Sequence, residues 1–325
     1  MGRPKSVLVT GGAGFIGSHL VERLLADGHT VTVVDNLSTG RSDNVPSGVT
    51  LQRATLGHPR VTFQPLGRID WLFHLAALAD IVPSVERPVD YHRSNMDGTV
   101  EVLEWARQLQ CQRFIYAASS SCYGLATEFP TPETAKIEPQ YPYALTKWVG
   151  EQYALHWMQV YGLPVVSLRL FNVYGPRQRT AGTYGAVMGV FLAQRANREP
   201  LTIVGDGSQT RDFTYVTDVV DAMVKAAESD VTGVFNVGSG STHAVSELAD
   251  RIGGSRVHIP KRPGEPDCTF ADTTKIRQAL GWTPRVAFAD GVQTMLDRLD
   301  DWKQAPVWTP HAIASATAEW HRRLA

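Results

Sequence analysis

The 325-residue chain has little cysteine: Cys111, Cys122 and Cys268 are all it carries. Three thiols cannot make a disulfide framework. Without a CxxC motif or a Cys/His cluster they point to a reducing compartment and to no metal site. Neither sign of charge is in excess. Lysine plus arginine number 31 against 32 for aspartate plus glutamate, a formal net charge of −1. That removes the electrostatic case for nucleic-acid or membrane-surface binding. No apolar run approaches the roughly 18 residues of a transmembrane helix. The first apolar run, Val7-Leu8-Val9-Thr10, has strand length and leads into glycines, not into a small-residue cleavage site. No signal peptide is read there, and the cytoplasm is the expected location. The sequon Asn36-Leu37-Ser38 is then a chance match. Apolar residues are not scarce. At 43% hydrophobic and 19% charged, the composition excludes a disordered chain.

What is present is alternation. Continuously apolar, β-branched runs at 7–10, 31–34, 72–75, 113–117 and 165–170 read as strands covered on both faces. Helical patterns at 15–27, 95–109 and 143–160 lie between them, which predicts a parallel sheet. The segment 36–65 is irregular and should hold a loop and a short strand. The second half changes character. Short strands are expected at 201–204, 233–237 and 256–259. Helices are expected at 186–197, 217–229, 245–251, 273–279 and 289–302, with loops at 175–185, 205–207, 238–240 and 260–266. The fold class is therefore α/β: a doubly wound parallel sheet of Rossmann type with a smaller C-terminal α/β lobe for substrate. Residues 1–171, with later segments interleaved, form the sheet domain, 172–301 mainly the lobe, and 302–325 a tail. In that tail Thr309 and Pro310 open one helix over 311–323. Trp302, Trp308 and Trp320 should anchor it by packing.

Gly11-Gly12-Ala13-Gly14-Phe15-Ile16-Gly17 follows the first strand and opens a helix. Gly11 suits a tight turn, Gly14 a backbone that must approach a pyrophosphate, and Gly17 close packing of helix on strand. The helix N-terminus, with Phe15 and Ile16 in its first turn, offers free N–H groups to phosphate. Asp35 ends the second strand, where a carboxylate can accept both ribose hydroxyls of NAD and would repel a 2′-phosphate. Asn36 follows it. NAD is expected over NADP, with Arg41 the one contrary sign.

Tyr143-Ala144-Leu145-Thr146-Lys147 is a YxxxK pair, which one helical turn brings to the same face. A tyrosine near pKa 10 is a poor base at neutral pH. A neighbouring ammonium and a positive nicotinamide ring favour its phenolate. Upstream, the strand at 113–117 runs into Ser119-Ser120-Ser121-Cys122-Tyr123-Gly124. The C-terminal end of a parallel strand faces the ligand crevice, so a serine there can meet both substrate oxygen and tyrosine.

Together with His74-Leu75-Ala76-Ala77, Asn95-Met96-Asp97-Gly98-Thr99, Arg169 to Pro176, Arg211 to Asp218, Asn236-Val237-Gly238 and Arg262 to Glu265, these segments resemble the extended short-chain dehydrogenase/reductase superfamily. Within it, the likeness is to the nucleotide-sugar epimerase/dehydratase branch and covers about residues 5–300. The resemblance implies that Tyr143 is the acid/base, Ser119 its active-site serine, and Lys147 its partner, also contacting the nicotinamide ribose. It places Asn95 in a cofactor-contacting stretch, and Asn172, Arg211 and Arg262 on the nucleotide diphosphate. Asn172 could equally be a loop cap, and the two arginines surface salt bridges. Ser120 and Ser121 should face the sugar. Tyr141 stands where a smaller residue is commoner. Cys122 reads as a small buried hydrophobe, and His74 as structural. Residues 49–69 lack the acidic motif expected after the third strand.

Dehydratases of that branch carry Asp-Glu directly after the active-site Ser or Thr, where this chain has Ser120 and Ser121. The resemblance then implies the simplest chemistry: hydride off C4 of a UDP-hexose, turnover of a 4-keto sugar, and hydride back to its other face. UDP-Glc/Gal, UDP-GlcNAc/GalNAc and UDP-GlcA/GalA are the candidate pairs. A dehydratase or decarboxylase, an epimerase at another carbon, or one for a GDP-, CDP- or dTDP-sugar stay open as alternatives. So does a non-enzymatic NAD-binding regulator. A homodimer is expected, with the helices at 95–109 and 143–160 pairing with their symmetry mates.

Overall fold

The five apolar runs and two further strands form a seven-stranded sheet. Its strands are β1 (Ser6–Thr10), β2 (Thr30–Asp35), β3 (Thr50–Arg53), β4 (Trp71–His74), β5 (Arg113–Ser119), β6 (Val165–Leu170) and β7 (Gly233–Val237). The structure is a computed structural model that describes residues 3–58, 67–178 and 185–324. Parts of the irregular segments expected over 36–65 and 175–185, namely 59–66 and 179–184, lie outside the described residues. The strands lie in the order β7-β6-β5-β4-β1-β2-β3, and every pairing is parallel. The chain reverses its direction of travel between β1 and β4. Thr10 is in register with both Val34 and His74, so three strands end together at that switch point. A crevice must open there.

Alternation along each strand fills both faces. Between the strands run α1 (Phe15–Ala26), α2 (Gly98–Gln108), α3 (Pro142–Tyr161) and α4 (Val216–Glu228). Val7, Val9, Val33 and Phe73 pack with Leu20 and Leu24 of α1 and Val219 and Met223 of α4. Leu8, Val34, Leu72 and Phe114 point the other way, onto Val102 and Leu103 of α2 and Ala154 of α3. The strand at 233–237, expected among the elements of the lobe, instead pairs with β6 and extends the main sheet. The helix expected over 95–109 starts its α-helical part at Gly98, after a widened π-helical turn over Arg93–Asp97.

The lobe has a second core, with Phe191, Leu201, Ile203, Phe213, Leu248 and Met295 at its centre. Leu201–Val204 pairs in parallel with Arg256–Ile259. Thr210–Arg211 lies between His243–Ala244 and Cys268–Thr269. Trp302 and Trp320 of the tail are buried in this core, and Trp308 packs against it. The tail is two helices, Pro310–Ala316 and Ala318–Leu324, not one. The break is at Thr317, a buried β-branched residue whose hydroxyl donates back to the Ile313 carbonyl at 2.8 Å. Such back-bonding bends helices. Thr309 caps the first of the two by accepting the Ala312 N–H.

Candidate active site

The glycine loop is fixed by close approaches. Gly11 has φ +74°, and a Cβ there would lie 2.7 Å from the Ala76 amide nitrogen. A Cβ on Gly17 would lie 2.2 Å from the Gly11 carbonyl oxygen. Side chains at these two positions are incompatible with the loop. Gly14 differs: its Cβ would meet only the Gly11 oxygen, at 3.2 Å, among the described residues. The space beside Gly14 is thus open, and α1 starts there with no side-chain cap. An uncapped helix N-terminus on open glycine backbone fits a pyrophosphate. Asp35 accepts N–H bonds from Ala13 at 3.0 Å and Leu37 at 2.8 Å, one on each carboxylate oxygen. Each oxygen keeps a lone pair for a ribose hydroxyl. These residues fit NAD. Asn36 bends the loop after β2: its side-chain oxygen accepts the Ser38 N–H, and Leu37 between them has φ +59°. Arg41 lies at the surface, 3.7 Å from Asp43.

The residues of the candidate acid/base pair come from strand and helix ends. Ser119 closes β5, with its hydroxyl 2.8 Å from that of Ser121. Tyr143 sits in the first turn of α3, which Pro142 opens at its first position. Burial pushes the Tyr143 phenol above its ordinary value, and its hydrogen bond with Ser119 pulls the other way. The group that opposes burial here is Ser119, not the Lys147 ammonium that the YxxxK spacing suggested. Lys147 lies one turn on and is 5% exposed, with its ammonium 4.4 Å from the centroid of the Tyr116 ring. Burial lowers it to about 7, against the charge of Glu151.

The wall behind α3 is a buried ion pair that the motif search did not find. Glu151 holds Arg169 through two bonds, of 2.6 and 3.0 Å, and also accepts the Ser167 hydroxyl. Arg169 continues to the Tyr123 hydroxyl, and Tyr123 to Asn236. Gly150 lets the helix close in: a Cβ there would be 2.3 Å from the Tyr116 hydroxyl, which donates to the Lys147 carbonyl. A sequence signal for this contact existed in the lone glycine inside a helical pattern.

Asn95, expected in a cofactor-contacting stretch, is held by protein groups. It is 1% exposed. Its amide nitrogen donates to the Leu78 carbonyl and the Thr146 hydroxyl, and its oxygen accepts the Leu78 N–H. It ties the segment after β4 to α3. The widened turn that carries it aims its side chain inward. His74 is likewise enclosed, between the Thr10 and Thr99 hydroxyls at 2.7 and 3.0 Å. Burial and the Lys147 charge lower it to about 3, so it is neutral at physiological pH. Cys122 is buried, and burial pushes its thiol up to about 12, which makes it a packing residue.

Ser119, Ser120, Ser121 and Tyr143 open onto a cavity of about 520 Å³. Phe15 and Ile16 line it from the α1 side. Asn172, Arg211 and Arg262 line it from the lobe, and Tyr141 also faces it. Asn172 has φ +25° and donates to the Asp212 carbonyl and the Thr269 hydroxyl, so it does bind loop backbone while lining the cavity. Arg211 and Arg262 both bond Glu265, at 3.2 Å and at 2.8 and 3.1 Å. The salt bridges left open by the sequence therefore exist, but inside the cavity wall and not on the outer surface. One carboxylate between two guanidinium groups leaves an excess of positive charge, suited to phosphate oxygens. Glu265 was in the sequence motif, but its place between the two arginines is set only by the fold. No group of three or more His, Cys, Asp or Glu side chains gathers to hold a metal among the described residues. No helix among them is long and apolar enough to cross a membrane.

The chain's likeness to known proteins agrees with this geometry. The NAD dependent epimerase/dehydratase family matches over residues 7–238. A UDP-glucose 4-epimerase of Mycolicibacterium smegmatis is 38% identical over 304 residues, covering 88% of this chain and 95% of that protein. UDP-glucuronic acid decarboxylase 2 of Arabidopsis thaliana is 35% identical over 301 residues, covering 89% and 67%. The crystal structure of Thermus thermophilus UDP-glucose 4-epimerase in complex with NAD superposes with a TM-score of 0.81 at 36% identity, covering 91% of this chain and 99% of that one. A glycine loop after the first strand, a YxxxK pair whose tyrosine meets the end of β5 and these alignments over most of the chain lead to one conclusion: the protein belongs to the NAD dependent epimerase/dehydratase family.

Proposed function

We propose that the protein is an NAD-dependent nucleoside-diphosphate-sugar 4-epimerase acting on a UDP-hexose. The observation that carries this reading is the pairing of Ser119 and Tyr143 in a cavity where the two positions after Ser119 are serines. The site holds a proton-transfer pair for one sugar hydroxyl. It has no carboxylate at the two positions that elimination would use. Gly11–Gly17 and Asp35 would hold NAD, which would supply the hydride acceptor and donor for C4 and a positive charge to offset the burial penalty on the Tyr143 phenolate. Tyr143 takes the proton of the C4 hydroxyl and gives it back. Ser119 hydrogen-bonds the same oxygen and orients it. Lys147 stabilises the phenolate from one turn away. Asn172, Arg211 and Arg262 hold the diphosphate.

The similarity to a decarboxylase supports a second reading, in which UDP-glucuronic acid loses carbon dioxide after C4 oxidation. Ser120 and Ser121 argue against it. Proton NMR of purified protein with UDP-Glc, UDP-GlcNAc and UDP-GlcA tests both. A new anomeric signal at unchanged mass means epimerisation, and a product lighter by carbon dioxide or water refutes it. The proposal includes a homodimer. Leu145, Tyr153 and Val160 of α3 are exposed apolar side chains on one helix face, an unusual set for a free surface. A monomeric mass by light scattering at micromolar concentration would count against the dimer.

A further inference from the structure

The tail reaches the cavity that holds Ser119 and Tyr143: Trp302, Trp308 and Trp320 all line it. Its attachment to the lobe is specific. Gln194, 1% exposed, donates to the Trp308 carbonyl at 2.6 Å and to the Thr202 hydroxyl at 2.8 Å, and accepts the Thr202 N–H. Gly189 leaves room for Trp302, since a Cβ there would lie 3.1 Å from the indole. Trp302 and Trp308 are thus explained by lobe packing.

Trp320 is different in what it touches. Its indole N–H donates to the Pro263 carbonyl at 2.7 Å. The guanidinium carbon of Arg262 lies 5.8 Å from the centroid of its ring. Tyr141, two residues before Tyr143, packs against it with ring centroids 5.9 Å apart. Pro263 and Arg262 belong to the turn that also carries Glu265, the carboxylate shared with Arg211. Both directional contacts of Trp320 therefore fall on the one turn that presents charge to the cavity. A residue that only filled the core would need neither. Arg262 without a fixed turn would have many rotamers, and ordering them would oppose binding.

We propose that Trp320 is a positioning residue for the nucleoside-diphosphate end of the substrate. It clamps the Arg262–Glu265 turn and so sets where the paired guanidinium groups face the cavity. The inference rests on the nucleotide-sugar reading above. It makes the C-terminal tail part of the binding site, not an appendage.

The test is calorimetric binding of UDP to the full-length, NAD-loaded protein, alongside steady-state kinetics on the UDP-sugar that turns over. Trp320→Ala should weaken UDP binding about tenfold and raise KM by a similar factor, with kcat within about twofold of wild type. Trp320→Phe keeps a ring under the guanidinium and loses the N–H, so it should fall between. In an Arg262→Ala background, Trp320→Ala should add less than about twofold, because the two act through one interaction. Unchanged UDP affinity in Trp320→Ala overturns the proposal. So does an equal effect with and without Arg262, or joint loss of UDP and NAD binding, either of which marks a general packing role. If wild type binds neither UDP nor another nucleoside diphosphate, the nucleotide-sugar reading itself fails and this proposal fails with it.

Discussion

The cofactor side and the substrate side of the cavity are built in opposite ways. On the cofactor side all parts but Asp35 are consecutive: β1, the loop Gly11 to Gly14 and the start of α1, with backbone geometry as the working element. On the substrate side the parts are scattered. Asn172 follows β6, Arg211 lies on a short lobe strand, Arg262 and Glu265 share a turn, and Trp320 comes from the tail. The first kind of site is written in one stretch of sequence and is preformed. The second exists only once the lobe has folded, and its charges are held by one another. Cofactor binding should therefore respond to small backbone changes, and substrate binding to loss of side-chain partners.

The largest effect is expected where the two sides meet. Tyr143→Phe should lower turnover by about 10²–10⁴-fold while NAD stays bound. Near-normal activity in that variant would sink the assignment. Next, Gly17→Ala should cost cofactor retention and stability together, because its Cβ would overlap the Gly11 carbonyl. A penalty of about 1–3 kcal/mol in denaturant unfolding is the expectation. Gly14→Ala should spare stability but still weaken NAD. If both behave alike, the cofactor side is not a backbone cradle. Arg211→Ala should raise KM for every nucleotide sugar by about tenfold with less effect on kcat, since its contact exists in ground and transition states alike. A change in sugar preference in that variant would break the division between the two ends of the substrate.

The effect furthest from either end of the substrate is one of pH. Lys147 has its folded pKa lowered from 10.5 to about 7 by burial. Between those values the unfolded chain binds the proton that the folded chain has lost, so this group makes stability rise with pH, by at most about 1.4 kcal/mol per unit. The penalty is complete below pH 7, where the buried ammonium is charged in both states. Lys147→Met should remove the slope, read as denaturant midpoints at pH 6.5 and 9. An unchanged slope would mean that Lys147 keeps its charge in place.

The same contrast explains what the sequence revealed. Continuously apolar runs mark buried strands, and β1, β2, β4, β5 and β6 lie where those runs predict them. The glycine loop is legible because each glycine answers a local steric demand. What escaped reading is non-local. The strand at 233–237 is an ordinary apolar run, and nothing within it says that it will pair with β6 instead of joining the lobe. Asn95 bonds Leu78 and Thr146, partners that no local pattern connects to it. Arg169 and Glu151 are eighteen positions apart and bond only because α3 lies across β6.

Gly150 has a wider consequence. With the Tyr116 hydroxyl where its side chain would be, α3 can neither slide along the sheet nor lift from it without opening a gap under Lys147. Tyr143 is thus indexed from the rear of its helix, by a residue packed against the sheet. Substitutions that retune the sugar pocket can then accumulate at Ser120, Ser121 or Tyr141 without disturbing the distance between acid/base and cofactor. Chemistry and substrate preference become separately variable, and the position that separates them carries no side chain.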